Sequence, residues 1–114
     1  MLFRSIHGVH DWNSEIKVWA PAYDPAKNEA SARLAWQSSP LAYVDTWRSP
    51  VLLIQGDDDR NVAFTETIHL AEALRKRDVH VELMVLPDEV HDFLLHRSWV
   101  AVYEATAEFF GRKL

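Results

Sequence analysis

The sequence predicts an α/β fold of about three parallel strands with flanking helices, and three observations carry that expectation. Val51-Leu52-Leu53-Ile54 is an unbroken apolar run bounded by Pro50 and Gly56, as in a strand buried on both faces. Val81, Leu83 and Val85 alternate with Glu82 and Met84, the period-two pattern of a strand nearer a sheet edge. After each run, apolar residues recur at helical spacing. Residues 51–113 therefore read strand, helix, strand, helix, a rhythm that implies parallel strands joined by right-handed crossovers.

The first fifty residues are less patterned. Arg4-Ser5-Ile6-His7 is a short strand that ends at Gly8, and residues 11–19 form a helix that stops before Pro21. Ala20-Pro21-Ala22-Tyr23-Asp24-Pro25 is a turn-rich linker; residues 29–36 form a short helix, and Ser39-Pro40 opens another turn. In the second half, Phe64, Ile68, Ala71 and Leu74 mark one helix. Thr65 is its expected N-cap, and Arg75-Lys76-Arg77 suit its carboxyl end. Asp78 stands where glycine usually stops such a helix. Trp99, Val102, Tyr103, Thr106, Phe109 and Phe110 make a second core-facing stripe up to Gly111. The five tryptophans are expected in the core or packed on another element, in preference to an aromatic binding surface.

Composition narrows the function classes. The 114 residues make one domain, 1–114, able to bury roughly two thirds of its unfolded surface. A net charge of −5 without a basic stripe argues against nucleic acid or an anionic membrane as partner. No apolar stretch approaches the roughly 20 residues that span a bilayer, and the start lacks the sections of a signal peptide. The absence of cysteine excludes a disulfide framework and suits a reducing compartment, so the cytoplasm is the expected location. With three glycines there is no phosphate loop or dinucleotide fingerprint, and no cofactor is expected. His7, His10 and Asp11 resemble a metal cluster but have no further Cys or His support, so no metal is expected either.

Chemistry-bearing residues cluster past the strand ends, where parallel sheets form their ligand crevices. Asp59 follows the first run in Gln55-Gly56-Asp57-Asp58-Asp59-Arg60-Asn61-Val62. His91 follows the second in Leu86-Pro87-Asp88-Glu89-Val90-His91-Asp92-Phe93. Loops from neighbouring parallel strands emerge on one edge, so the two side chains are able to meet. The plainer alternatives are a loop carboxylate capping the next helix for Asp59 and an ordinary loop histidine for His91. Asp57 and Asp58 read as solvated loop charges rather than metal ligands.

These segments, with Ser49-Pro50 before them and Leu74-Arg75-Lys76-Arg77 between, resemble the prolyl oligopeptidase family of serine peptidases, which are α/β-hydrolases. His7-Gly8-Val9-His10-Asp11-Trp12 is also similar to the segment that follows the nucleophile elbow in bacterial members, so the resemblance covers nearly the whole chain. The Gly-x-x-Asp-x-x-Val and Pro-x-x-x-His pair is fairly specific for α/β-hydrolases, and less so for a peptidase within that fold. The resemblance implies that Asp59 is the triad acid and His91 the general base. It implies that Asn61 reaches a substrate carbonyl and that Val62 walls the pocket for the residue preceding the cut. The implied substrate is a short peptide.

The chain departs from the family pattern in two ways. Val90 and Asp92 flank His91 where glycines are usual, and a β-branched residue there is able to displace the histidine. A nucleophile elbow needs Gly-x-Ser-x-Gly, and Gly8, Gly56 and Gly111 are too far apart to frame one. Relative to the family, the chain is expected to begin after the elbow and to be the carboxyl-terminal part of a catalytic domain. The leading expectation is then an acid–base segment, inactive alone, whose serine comes from a missing upstream segment. The competing expectations are a non-catalytic remnant or binding module that self-associates as a homo-oligomer through an unpaired strand edge, and a segment of an esterase-like α/β-hydrolase.

Overall fold

A computed structural model describes residues 2–114. In chain order the elements are β1 (Phe3–Ile6), α1 (Trp12–Trp19), α2 (Glu29–Gln37), a 3-10 helix (Pro40–Thr46), β2 (Val51–Gly56), α3 (Phe64–Arg75), β3 (Val81–Leu86) and α4 (His96–Lys113). The three strands are parallel in the order β1-β2-β3. The central strand is the apolar run, and all six of its residues are buried. Side chains alternate across a strand, so Val51 and Leu53 meet Leu70, Ala71 and Leu74 of α3 together with Val44 and Val79. Leu52 and Ile54 point the other way, into Leu86, Phe93, Val102 and Phe109, the last two on α4. Three layers result, with β2 in the middle. Burying each such aliphatic side chain contributes about 1.5–3 kcal/mol.

Several boundaries differ from the sequence expectation. β1 ends at Ile6, because His7 turns out of the strand with φ 40° while its N–H still donates to the Ile54 carbonyl at 2.8 Å. β2 continues two residues beyond Ile54, paired to β3 through Gly56. Ser39-Pro40 opens a 3-10 helix rather than a simple turn. Thr65 is not the cap of α3: Ala63 holds that position without a side-chain bond, and Thr65 is already in the first turn. The chain enters this helix straight from the turn around Asp59, and the Glu15 carboxylate reaches the Ala63 N–H at 3.4 Å from another element. The helix does end as its pattern requires. Asp78 adopts the left-handed conformation at φ 57°, with Val79 N–H on the Leu74 carbonyl and Asp78 N–H on the Arg75 carbonyl. This is the paired bonding of a Schellman stop, with an aspartate in glycine's place.

Gly111 does not stop α4, which runs to Lys113. No left-handed turn occurs there, and the Arg112 guanidinium ties the last turn to the Glu82 carboxylate of β3 at 3.1 and 2.7 Å. That contact holds the Glu82 carboxyl down at about 2, with His80 adding to the effect. Tyr103, expected on the core stripe, is 61% exposed. Of the tryptophans, Trp47 and Trp99 pack against the two cores, whereas Trp12, Trp19 and Trp36 are exposed. Among the described residues, no helix is long and apolar enough to cross a membrane.

Candidate active site

Asp59 and His91 meet. The loop after β2 carries Asp59 and the loop after β3 carries His91; His91 Nδ1–H donates to Asp59 Oδ2 at 2.9 Å. A carboxylate only accepts, so Nδ1 carries a hydrogen, and in the neutral ring the lone pair is on Nε2. The Asp59 side chain is wholly shielded, while the His91 side chain keeps 23% of its surface.

Four donors converge on the acid. Its Oδ1 accepts the N–H groups of Asn61 and Val62, each at 2.9 Å, and its Oδ2 also accepts Gln55 Nε2 at 3.2 Å. Burial alone pushes the Asp59 carboxyl up, but these bonds and the one from His91 outweigh it and hold the group below the usual range. Asp59 does not cap α3, whose N-cap Ala63 has no side-chain bond; it braces the turn before that helix as well as holding the histidine. Gln55 sits at the strand end with Nε2 shared between Asp59 and the Val62 carbonyl, at 2.9 Å from the latter. Both partners are acceptors, which fixes the amide's orientation and leaves its buried Oε1 without a partner among the described residues.

The two loops are stitched to each other. Asp57 N–H donates to the Leu86 carbonyl at 3.2 Å, Asp58 N–H to the Glu89 carbonyl at 3.2 Å, and Asp88 N–H to Asp57 Oδ1 at 2.7 Å. Asp58 pairs with Arg60 and remains exposed. Gly56 is required where the loops touch: a Cβ there would lie 2.1 Å from the Glu89 carbonyl oxygen. Glu89 itself is buried and ties the histidine loop to α4. Its carboxylate accepts Leu94 N–H at 3.0 Å, Leu95 N–H at 3.4 Å and the Ser98 hydroxyl.

This bracing explains why Val90 and Asp92 leave the histidine in reach of the acid. The left-handed residues in the loop are Asp88 at φ 58° and Phe93 at φ 46°, on either side of the Val90-His91-Asp92 segment. Aspartate visits that region readily. The strain at Phe93 is held by burial of its ring in the core beside α4.

Asn61 and Val62 lie together on one side of the acid. With Val9, Trp12, Ile16 and Trp19 they line a cleft of about 340 Å³, most of it apolar. Trp19 Nε1–H bonds to both the Glu15 carboxylate, at 2.9 Å, and the Asn61 carbonyl, at 3.2 Å, which ties α1 to the Asp59 loop. His7, His10 and Asp11 go separate ways rather than forming one cluster. Asp11 caps α1 through Asn13 N–H. His10 is buried between the Ser5 hydroxyl and the Glu66 carbonyl, both at 3.1 Å, and burial pushes its pKa down. The His7 ring lies 4.0 Å from that of His91, centroid to centroid.

Sequence reasoning missed Gln55, Glu89 and the packing of His7 against His91. A polar residue closing an apolar strand, and an acid two residues before the histidine, are weak local signals for the first two. Nothing local signals the third.

A domain of parallel strands between helices, with an acid and a histidine at adjacent strand ends, falls in the class of α/β-hydrolase folds. Comparison with known proteins supports that class. The structure superimposes on a puromycin-hydrolyzing peptidase of Mycobacterium tuberculosis with a TM-score of 0.84 at 24% identity, covering 100% of this chain and 18% of that one. It superimposes on the uncomplexed acylaminoacyl peptidase of Pyrococcus horikoshii with a TM-score of 0.78 at 24% identity, covering 97% and 20%. In sequence, the chain is 32% identical over 93 residues to acylamino-acid-releasing enzyme 2 of Oryza sativa subsp. japonica, covering 79% of this chain and 12% of that enzyme. It is 28% identical over 100 residues to dipeptidyl-peptidase 5 of Porphyromonas gingivalis, covering 88% and 14%. The sequence profile of the prolyl oligopeptidase family matches residues 3–114. The chain belongs to the prolyl oligopeptidase family, and it spans about an eighth of the length of these curated relatives.

Proposed function

We propose that this chain is the acid–base segment of a serine peptidase acting on short peptides. The observation that carries the reading is the 2.9 Å bond between the shielded Asp59 carboxylate and His91 Nδ1, in a member of a peptidase family. In this role His91 Nε2 takes the proton of a serine hydroxyl and returns it to the leaving amine. Asp59 stays ionised, holds the tautomer and stabilises the imidazolium. Asn61 contacts a substrate carbonyl, and Val62 forms part of the apolar wall that receives a substrate side chain. The cleft these two residues line is consistent with that division.

The nucleophile comes from a Gly-x-Ser-x-Gly segment, which this sequence does not contain. The chain alone is therefore expected to be inactive. Turnover of a peptidyl amide by the isolated chain that disappears in His91→Ala would contradict that part. The stronger test is complementation, in which the chain is co-expressed with the serine-bearing segment of a family relative. Hydrolysis of chromogenic peptidyl amides is expected, falling at least about 10³-fold in Asp59→Asn and in His91→Gln. Activity that survives His91→Gln would remove the general-base assignment.

A further inference from the structure

His7 is a strained residue at the edge of the candidate site, and the strain has a use. A non-glycine residue at φ 40° is strained and persists only where its surroundings fix it. Here the His7 N–H is held by the Ile54 carbonyl, so the chain still pairs with β2 while the side chain leaves the strand's alternation. As a result the imidazole stands over the base. Its centroid is 4.0 Å from that of His91, with the planes tilted by 51°. On another side it meets Phe93 edge-on at 5.3 Å, and Phe93 is buried and packs on Trp99 at 5.2 Å. His7 thus links the catalytic candidate to the core beside α4 through rings alone.

We infer that His7 is a positioning residue for His91: its ring packs against the base and keeps Nδ1 turned toward Asp59. The inference rests on the acid–base reading above. It also accounts for how His91 keeps its orientation with no glycine on either side, since the loop's own backbone is not its only restraint. Burial, followed by the neighbouring His91, pushes the His7 pKa down, while Asp59 and Asp92 pull it up less strongly. An uncharged ring is the form that packs against a base without opposing the proton it gains.

The test uses the chain as it is and reads the far-downfield proton resonance of a histidine Nδ1–H bonded to a carboxylate. Asp59→Asn identifies that signal by displacing it. His7→Asn removes the ring but tolerates the left-handed backbone, and His7→Phe keeps a flat ring without ionisable nitrogens. In His7→Asn, exchange of the His91 Nδ1 proton with solvent is expected to quicken about three- to tenfold, the scale set by one aromatic contact, with the thermal unfolding midpoint close to that of the wild type. His7→Phe is expected to restore slow exchange. Unchanged exchange in His7→Asn, or fast exchange in a folded His7→Phe, overturns the inference. A wild-type chain with no such signal instead removes the Asp59–His91 reading, and this inference with it.

Discussion

The two halves of the molecule are assembled by different means. Residues 51–113 bury apolar side chains on regular patterns: β2 sends alternate residues into two cores, and α3 and α4 close them. Residues 2–50 supply one short edge strand and small helices whose tryptophans 12, 19 and 36 stay exposed. That half is fastened largely by side chains reaching main-chain groups. The buried Glu66 of α3 accepts His10 N–H at 2.8 Å and Asp11 N–H at 2.7 Å, and Ser39 accepts Trp12 N–H at 2.9 Å. Glu66 is pushed up by burial, and these two bonds only partly offset that. The two cores are therefore built mainly on residues 51–113, whereas α1 and the segment before it are fastened by a few specific bonds. Asp59 and His91 lie on the regular half, while His7 and the cleft wall of Val9, Trp12, Ile16 and Trp19 come from the other.

This contrast can be broken at its strongest point first. Gly56→Ala puts a Cβ against the main chain of Glu89, at 2.1 Å from the oxygen and 2.7 Å from the carbon, where no side-chain rotation gives relief. A loss of about 3 kcal/mol or more is expected, measured by urea unfolding, with the two loops forced apart. A midpoint unchanged from wild type would mean that the loops are not tightly joined.

Glu66→Ala comes next, at about 2 kcal/mol for two main-chain donors left without their charged acceptor. Here the pattern matters more than the size. Hydrogen exchange is expected to rise in α1 and around His10 while β2 and the last turns of α3 stay protected. Uniform loss of protection would show that the halves do not differ as described.

The smallest effect lies in the acid limb of stability. The folded Asp59 carboxyl is depressed relative to its ordinary value of 3.8. The stability it contributes is therefore present above that value and lost as pH falls through the folded one. Asp59→Asn cannot titrate, so the variant is expected to lose less stability than wild type between pH 5 and pH 2. Parallel stability–pH curves for the two proteins would contradict the depressed carboxyl.

The regular half was also the legible one. Val51 to Ile54 named the central strand because burial on both faces leaves no room for alternation. The alternation of β3 named an edge for the opposite reason. Asp59 and His91 were legible because they follow those strands in recognisable motifs. Helix ends shifted even in this half: Thr65 lost the cap to Ala63, and Gly111 did not end α4, because contacts from Glu15 and Glu82 act at those helix ends from elsewhere in the chain.

By itself, the sequence determined the parallel α/β rhythm, the two loops that carry an acid and a base, and the absence of a Gly-x-Ser-x-Gly turn. Each is written in neighbouring residues, as periodicity or as a motif. The tertiary structure alone decided that Val90 and Asp92 are tolerated, that Gln55 and Glu89 brace the pair, and that His7 packs on His91. Those outcomes depend on side chains brought together by strand order and layer packing, and local periodicity carries no record of such distant contacts.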